Sequence, residues 1–339
     1  MSAQNSANHP SPVLFFETLN AYQRTAALKA GIELEVFTAI AEGKQSVADL
    51  CTRCGAHEHG IRILCDTLTI IGFLTKSGER YALSADSAAF LDKRQPTYMG
   101  GAAEFLLAPM LIDGFKDFTN AVRKGGTTVQ QNAVSPENPV WVKFARAMVP
   151  LMMLPAELMA KLVLNGSQEK MRILDIATGH GIFGLQFAKL NPNAEIVAQD
   201  WPNVLEVAKE NAQKYGASSR FSTLPGSAFD VDFGSGYDLI LLTNFLHHFD
   251  APSCEKLLKK VHAALKPGGR AVTLEFIPKE DRVTPPGSAA FAIIMLGTTP
   301  AGDAYTYSEL ERMHKNAGFA RTELHHLQPT MQSTVIAWK

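Results

Sequence analysis

The segment Arg172-Ile-Leu-Asp-Ile-Ala-Thr-Gly-His-Gly-Ile-Phe-Gly184 decides the fold of this chain. Its first half is a short apolar run typical of a buried β-strand, and its second half spells G-x-G-x-x-G through Gly179, Gly181 and Gly184. Glycines at this spacing let the backbone approach a ligand closely, and the helix that follows offers free N–H groups. A tight turn without a ligand would give the same spacing. The segment predicts a strand, a turn and a helix, the first unit of an α/β sheet.

Similar apolar runs alternate with helical patterns along the rest of the chain. The runs are RILDIA, AEIVAQD, YDLILLTNF and RAVTLEFI. Strands that alternate with helices are typical of βαβ units, whose strands run parallel in one sheet. The last two segments, RTELHHLQ and STVIAWK, alternate apolar and polar residues instead, which predicts a closing antiparallel hairpin. The fold class is therefore α/β, with a Rossmann-like sheet.

Residues 14–91 have a helical texture that differs from the sheet region. Apolar residues recur at steps of four, at Leu28, Ile32, Val36 and Ile40, which predicts one apolar face of a single helix. Ser46 is placed to cap the helix after it. The segment GFLTKSGERYALS then predicts two short strands joined at Ser77-Gly78. This order of elements, helices followed by a hairpin, is typical of a mainly helical winged-helix domain.

These patterns divide the 339 residues into four parts, enough chain for two ordinary domains. We expect a disordered tail at 1–13, a winged-helix domain at 14–98, a helical linker and pocket segment at 99–168, and the sheet domain at 169–339. The N-terminus lacks the basic-then-apolar layout of a signal peptide, and the longest apolar run is too short to span a bilayer. A cytoplasmic protein without a membrane partner is expected.

Composition and charge exclude several classes of protein. The chain has 32 Lys and Arg against 33 Asp and Glu, a formal net charge of −1, so no global positive field indicates a nucleic-acid partner. A hydrophobic content of 46% with 19% charged residues excludes general disorder. Four cysteines in this length exclude a disulfide scaffold and suit a reducing compartment.

Asp175 discriminates between two ligands of glycine turns, a nicotinamide dinucleotide and S-adenosylmethionine. It lies in the first strand just before the turn, where a carboxylate would repel a pyrophosphate but could bind a cationic methionine amino group. The second strand ends at Asp200, whose carboxylate is well placed to accept hydrogen bonds from ribose hydroxyls. S-adenosylmethionine is therefore favoured, with S-adenosylhomocysteine as the product. A nicotinamide oxidoreductase is the alternative.

The chain resembles a known family through motifs spread from about Leu14 to Lys339. The motifs are ILDIATGHG, QDWPNV, GSAF, NFLHHF, LKPGGR and NAGF. They are similar to those of small-molecule O-methyltransferases with an N-terminal winged-helix dimerisation domain, including plant phenolic, acetylserotonin and hydroxyneurosporene-type enzymes. The resemblance implies a class I methyltransferase sheet, methyl transfer to a small-molecule acceptor, and a homodimer formed through the N-terminal domain.

The resemblance also implies a set of cofactor residues. Besides Asp175 they are Ala177, Gly179, Gly181, Asp200, Trp201, Ser227, Ala228, Phe229 and Thr243. Asp200 would bind the ribose, and Trp201 would pack on the adenine. Ser227 and Ala228 fall where the family often has Asp-Met, and Thr243 falls where plant members often have a lysine.

The segment Leu246–Asp250 follows the YDLILLTNF strand, at the edge where open α/β sheets bind ligands. Histidine suits the base for a hydroxyl acceptor, because its unperturbed pKa of about 6.5 leaves it largely neutral at pH 7. The family's LHDW pattern places its catalytic histidine on His247. Glu275 ends the next strand, matches the family's first flanking glutamate and is expected to orient His247. The second glutamate position falls beside Asp303, so either Asp303 replaces it or His247 works with one carboxylate.

An acceptor pocket is implied by the same family. Its residues are Phe105, Leu106, Phe144, Met148, Leu151, Met295 and Thr299. Leu151 and Thr299 stand where plant members have histidine and asparagine, which makes this pocket poorer in polar contacts. Met and Phe at helical spacing also occur in plain cores. We expect a largely apolar or aromatic acceptor with one ionisable hydroxyl; transfer to N or C is the alternative.

Two further signals point to other classes. The spacing Cys51-x-x-Cys54 with two histidines after it is zinc-like, but no second pair follows and no acidic cluster lies near the site, so no metal is expected. A winged helix could also belong to a ligand-sensing regulator that binds DNA. The segment that would recognise DNA has only Arg53 and Arg62 as permanently charged basic residues, so no nucleic-acid partner is expected.

Overall fold

The computed structural model describes residues 10–135 and 138–339. The chain forms two compact units, Met1–Gly100 and Gly101–Lys339. Of the tail predicted at 1–13, residues 1–9 lie outside the described residues, and the first helix begins at Val13. The predicted pocket segment, 99–168, falls almost wholly in the second unit.

The first unit consists of helices and one hairpin. Its elements are α1 (Val13–Leu19), α2 (Ala21–Glu33), α3 (Val36–Ala41), α4 (Val47–Cys54), α5 (Glu58–Ile70), β1 (Leu74–Ser77), β2 (Arg80–Leu83) and α6 (Ala85–Phe90). The predicted hairpin is confirmed, since β1 pairs antiparallel with β2. The predicted cap is also confirmed, because the Ser46 hydroxyl accepts a hydrogen bond from the Asp49 N–H.

The prediction of one helix from Leu28 to Ile40 is wrong. The chain breaks between α2 and α3 at Leu34 and Glu35, and Glu35 has a left-handed φ of 56°. The Glu35 carboxylate pairs with Arg53 at 3.1 Å and with Lys93 at 2.6 Å. Apolar residues at steps of four continue through such a break, because both short helices bury a face in the same core.

The second unit begins with helices and continues as an α/β sheet. Its helical segment comprises α7 (Ala103–Leu106), α8 (Pro109–Lys116), α9 (Phe118–Lys124), α10 (Val140–Ala147) and α11 (Val149–Leu164). The elements that follow are β3 (Met171–Ile176), α12 (Ile182–Leu190), β4 (Ala194–Asp200), α13 (Pro202–Lys214), β5 (Phe221–Pro225), β6 (Tyr237–Thr243), α14 (Ala251–Ala264), β7 (Leu265–Glu275), α15 (Pro286–Ala289), α16 (Phe291–Thr298), α17 (Tyr307–Asn316), β8 (Arg321–His326) and β9 (Ser333–Trp338).

The seven strands form one sheet in the order β5-β4-β3-β6-β7-β9-β8. β3 to β7 run parallel, and β9 pairs antiparallel with both β7 and β8. The predicted α/β class and the closing antiparallel hairpin are therefore confirmed. The apolar pattern does not single out β5, because this edge strand is only partly buried.

Among the described residues, no single helix is long and apolar enough to cross a membrane. Helices α10 and α11 pass that test only as a pair, bent by 68° where they meet. Much of α11 packs in the core of the second unit, where Ala156, Met159 and Ala160 are fully buried.

Gly184 sets how closely α12 packs against the sheet. A Cβ at this position would lie 2.9 Å from the Ile196 side chain and 3.0 Å from a carboxylate oxygen of Asp175. The Gly184 N–H donates a hydrogen bond to that same Asp175 oxygen at 3.1 Å. Glycine is therefore needed here because the helix and two strands meet without room for a methyl group.

Replacing Gly184 by alanine should lower the free energy of unfolding by about 1–3 kcal/mol, because the methyl group overpacks this contact. Gly60→Ala is the control, since Gly60 lies inside α5 and a Cβ there would meet nothing within 4 Å. That variant should be neutral or slightly stabilising. Urea unfolding followed by circular dichroism measures both. Equal effects of the two substitutions would contradict the close-packing account.

Candidate active site

The carboxyl ends of β5, β4, β3, β6 and β7 lie side by side at one edge of the sheet. Asp175 lies near the end of β3, Asp200 ends β4, and Thr243 ends β6. Trp201 precedes α13 and packs near Ala145 of α10. The structure thus brings the predicted cofactor residues to the edge where ligands bind in open α/β sheets.

Asp175 is a fully buried carboxylate with one oxygen left unpaired. Its Oδ2 accepts hydrogen bonds from the Thr178 hydroxyl at 2.7 Å and from the Gly184 N–H at 3.1 Å. Its Oδ1 is buried without a hydrogen-bond partner among the described residues. Burial raises the pKa of Asp175 to about 6. A buried acceptor of this kind is expected to bind a donor that a ligand supplies.

Asp200 holds the glycine turn from the neighbouring strand. Its Oδ2 accepts from the Gly179 N–H at 2.8 Å, and its Oδ1 accepts from the Trp201 N–H at 2.7 Å. Burial raises the pKa of Asp200 to about 6. The turn is also left-handed at Ala177, with a φ of 51°, and the Ala177 N–H donates to the side chain of Gln199 at 3.3 Å. Gln199 is a site residue that sequence reasoning missed.

These residues fit S-adenosylmethionine. The unpaired Asp175 oxygen suits the methionine ammonium group, and the Asp200 carboxylate retains lone pairs for ribose hydroxyls. Two carboxylates at one turn, Asp175 buried and Asp200 half-buried, would repel a diphosphate. The donor set therefore suits a cationic nucleoside.

The loop after β5 carries Ser227, Ala228 and Phe229. The Ser227 hydroxyl accepts a hydrogen bond from the Phe229 N–H at 3.2 Å. The Lys260 ammonium group of α14 donates to the carbonyl oxygens of Ala228, Phe229 and Val231 at 2.8, 3.0 and 2.8 Å. Lys260 therefore fixes the path of this loop. Sequence reasoning did not identify it, because its role depends on where α14 packs.

His247 and Glu275 form a buried pair at the ends of adjacent strands. His247 Nδ1 lies 2.5 Å from Glu275 Oε2, and the two residues are only 4% and 2% exposed. Glu275 Oε1 accepts from the N–H groups of Phe245 and Leu246 at 3.0 and 2.9 Å. Since both oxygens of the carboxylate accept, we assign the imidazole proton to Nδ1. His247 Nε2 is then free to accept a proton.

His248 lies beside this pair and stays neutral. Its Nδ1 contacts the Phe245 carbonyl oxygen at 3.2 Å, and its ring centroid is 4.2 Å from that of His247. Burial, together with the nearby His247, holds the pKa of His248 well below its ordinary value. His248 is therefore a neutral neighbour of the pair.

The Asp303 carboxylate is directed to another partner. It forms an ion pair with Arg282 at 3.2 Å, and Arg282 also pairs with Glu309. Asp303 meets His247 through the backbone, where its N–H donates to the His247 carbonyl oxygen at 3.0 Å. This arrangement favours the alternative in which His247 works with one carboxylate partner.

Aromatic rings contact each of the two histidines, and further rings pack behind Trp141. Phe105 contacts Phe144 with ring centroids 5.1 Å apart, and Trp141 lies 5.3 Å from the His248 ring. The Phe291 ring of α16 lies 4.8 Å from the His247 ring. Trp141 and Phe291 were not predicted, although Phe291 is one helical turn from the predicted Met295.

The other predicted pocket residues differ in their exposure. Met148 and Met295 are buried, Leu151 is half-buried, and Leu106 is exposed. The Thr299 hydroxyl is already used, since it donates to the Met295 carbonyl at 2.7 Å and accepts from the Gly302 N–H at 2.8 Å. The described part of this region is therefore mainly apolar.

The zinc-like spacing forms no metal site in the described part of the chain. Residues 10–135 and 138–339 contain no group of three or more His, Cys, Asp or Glu side chains that could hold a metal ion. Cys51 and Cys54 pack against the core of the first unit, and the His57 ring accepts the His59 N–H at the start of α5.

Comparison with known families identifies the class of the protein. Residues 115–320 match the O-methyltransferase domain, and residues 16–93 match the O-methyltransferase dimerisation domain. The chain belongs to the O-methyltransferase family. It is an S-adenosylmethionine-dependent methyltransferase, so the predicted enzyme class is confirmed over the oxidoreductase and regulator alternatives.

Curated relatives and solved structures agree with this assignment. The chain is 27% identical over 314 residues to the 3-hydroxy-5-methyl-1-naphthoate 3-O-methyltransferase of Streptomyces sahachiroi, covering 91% of this chain and 89% of that protein. A Nostoc punctiforme PCC 73102 structure, provisionally described as an O-methyltransferase, is 54% identical with a TM-score of 0.94, covering 98% of this chain and all of that one. Human N-acetylserotonin methyltransferase in complex with SAM shares the fold, with 21% identity, a TM-score of 0.83 and 99% coverage of both chains.

Cofactor affinity should fall as the pH drops below about 6, where the carboxyl groups of Asp175 and Asp200 take up protons. The ionised forms, present above that pH, are the ones that can pair with an ammonium group and accept from ribose hydroxyls. Calorimetric titration with S-adenosylhomocysteine between pH 8 and pH 5 measures this. Asp200→Asn should bind more weakly and depend less on pH. A wild-type affinity that stays constant or rises down to pH 5 would contradict these roles.

Proposed function

We propose that the chain transfers a methyl group from S-adenosylmethionine to a hydroxyl of a small aromatic or largely apolar acceptor, with His247 as the base. The observation that carries this proposal is the buried 2.5 Å contact between His247 Nδ1 and Glu275 Oε2. This contact orients the imidazole and leaves Nε2 available at the ligand-binding edge of the sheet. No metal ion takes part in the proposed reaction.

The glycine turn would hold the cofactor, which supplies an electrophilic methyl group on a sulfonium. Asp175 would bind the ammonium group and Asp200 the ribose. The backbone at Ala177, Gly179 and Gly181 would wrap around the cofactor. On the adenine side we place the remaining predicted residues, which are Trp201, Ser227, Ala228, Phe229 and Thr243. The unpaired Asp175 oxygen and the carboxyl-edge position of all these residues support the placement.

His247 would accept the proton of the acceptor hydroxyl on Nε2. The imidazole then carries a positive charge, which the adjoining Glu275 carboxylate stabilises at 2.5 Å in a buried site. Glu275 is itself held by the N–H groups of Phe245 and Leu246, so it needs little rearrangement. One carboxylate is sufficient for this role.

The acceptor would lie against the cluster of rings formed by Trp141 and Phe291, which contact the two histidines, and by the rings packed on Trp141. Phe105, Trp141, Phe144 and Phe291 supply aromatic faces, and the Thr299 hydroxyl is bonded within the protein. Such a lining favours an aromatic acceptor that has few polar groups. Relatives named for a naphthoate and for a tetracenomycin polyketide support this class.

The N-terminal unit would pair two subunits. It matches a dimerisation domain, and α1 exposes Leu14 and Phe15 with relative exposures of 75% and 62%. Exposed apolar side chains of this kind are typical of surfaces that a partner covers. We propose a homodimer in which this winged-helix-like unit forms the contact.

Replacing His247 by alanine should lower kcat by about 10²–10⁴-fold, because the base is lost. Binding of S-adenosylhomocysteine should stay within about twofold of the wild type, since the glycine turn is untouched. Glu275→Gln should also lower kcat, because an amide N–H facing Nδ1 disfavours the required tautomer. Single-turnover assays and calorimetry measure the two quantities.

His325→Ala is the matched control, since His325 lies on β8 and contacts Glu323. Asp303→Asn tests the single-carboxylate arrangement and should leave kcat within a few-fold of the wild type. An unchanged kcat in His247→Ala would overturn the base assignment. A loss in Asp303→Asn as large as that in Glu275→Gln would show that both carboxylates act.

The acceptor proposal predicts a preference among simple phenols. A naphthol should be methylated with a kcat/KM at least about tenfold above that of catechol. The second hydroxyl of catechol would give up its hydrogen bonds to water without gaining one from the protein. Radiolabelled S-adenosylmethionine measures both rates under the same conditions. Equal kcat/KM values for the two acceptors would contradict the apolar lining.

A further inference from the structure

His180 is a buried polar side chain in the glycine turn that the proposed reaction does not use. It lies between Gly179 and Gly181 and is 1% exposed. Its Nδ1 accepts a hydrogen bond from the Ile182 N–H at 3.2 Å. Its Nε2 is buried without a hydrogen-bond partner among residues 10–135 and 138–339.

The hydrogen bond at Nδ1 fixes the tautomer of His180. Since Nδ1 accepts, the ring proton must be on Nε2. Burial lowers the pKa of His180 to about 4, so the ring is neutral near pH 7 and Nε2–H remains a donor. A buried donor without an acceptor is costly and rare, which indicates that a ligand supplies the acceptor.

The neighbouring groups that the structure describes offer no acceptor for this N–H. The ring is stacked on Phe144, with centroids 5.7 Å apart and planes 19° apart, and it lies 5.9 Å from the Phe183 ring. Asn211 bonds to the carbonyl oxygen of His180 rather than to its ring, at 2.9 Å. Phe144 also covers Gly179, where a Cβ would lie 3.3 Å from the Phe144 ring.

The end of β3 presents an unpaired acceptor, and the turn that follows presents an unpaired donor. Asp175 Oδ1 and His180 Nε2 are both buried without a partner in the described part of the chain. The amino-acid end of a nucleoside such as S-adenosylmethionine carries one ammonium group and one carboxylate. The strand end and the turn therefore supply one acceptor suited to the first group and one donor suited to the second.

We propose that His180 Nε2–H binds the carboxylate of the methionine moiety of S-adenosylmethionine. This rests on the cofactor lying in the glycine turn, as proposed above. His180 is then a specificity residue, because it selects donors that retain the carboxylate. It takes no part in proton transfer to His247.

Two ligands that differ only in this carboxylate test the proposal: S-adenosylmethionine and its decarboxylated form. Two variants separate the donor from the local fold. In His180→Asn the side-chain oxygen can still accept from Ile182 N–H, but no donor reaches the Nε2 position. In His180→Gln an amide N–H can reach that position. Calorimetry on the full-length protein, without acceptor, gives the Kd of each ligand for the wild type and for both variants.

The wild type should bind S-adenosylmethionine about tenfold to a hundredfold more tightly than the decarboxylated ligand, as a charge-assisted hydrogen bond provides. His180→Asn should lose most of this preference while binding the decarboxylated ligand as the wild type does. His180→Gln should keep most of it.

An unchanged preference in His180→Asn would overturn the proposal, whether or not the acceptor KM rises. An equal loss for both ligands would overturn it too, since that result shows only a structural role. Failure of the wild type to bind S-adenosylmethionine at all would instead contradict the placement of the cofactor. Because the assay contains no acceptor, it does not depend on the His247 mechanism.

Discussion

The site depends on one buried carboxylate, that of Glu275. One of its oxygens accepts from the N–H groups that follow β6, and the other contacts His247 Nδ1 at 2.5 Å. The ends of two adjacent strands are thereby joined through a single side chain. A buried charge is tolerated only when it is well bonded, so the same bonds that stabilise Glu275 also hold the imidazole in one orientation.

Two further carboxylates, Asp175 and Asp200, lie at the glycine turn. Asp175 and Asp200 bond to the backbone of the glycine turn, and burial raises the pKa of each to about 6. The protein thus keeps two ionisable acids in a position where their charge is unfavourable without a cation. A ligand with an ammonium group and a sulfonium would offset this, which is the basis of the proposed cofactor placement.

Much of the fold follows from local patterns, because alternating strands and helices specify a parallel sheet and its carboxyl edge. Asp175 and Asp200 follow from that rule, whereas the choice of His247 and Glu275 also needed the family's motifs. The rest depends on tertiary contacts. The break at Glu35 is invisible to helical spacing, and the carboxylate of Asp303 is drawn to Arg282, 21 residues away in the chain. No local pattern specifies either the rings packed beside His247 or the unpaired nitrogen of His180.

The tautomer of His247 tests the central claim most directly. Nitrogen-15 NMR of the histidine-labelled protein resolves which ring nitrogen of a neutral imidazole is protonated, and His247→Ala assigns the signals. The account predicts a proton on Nδ1, facing Glu275, and a bare Nε2. A proton on Nε2 would contradict it, because the nitrogen meant to receive the acceptor's proton would already be occupied.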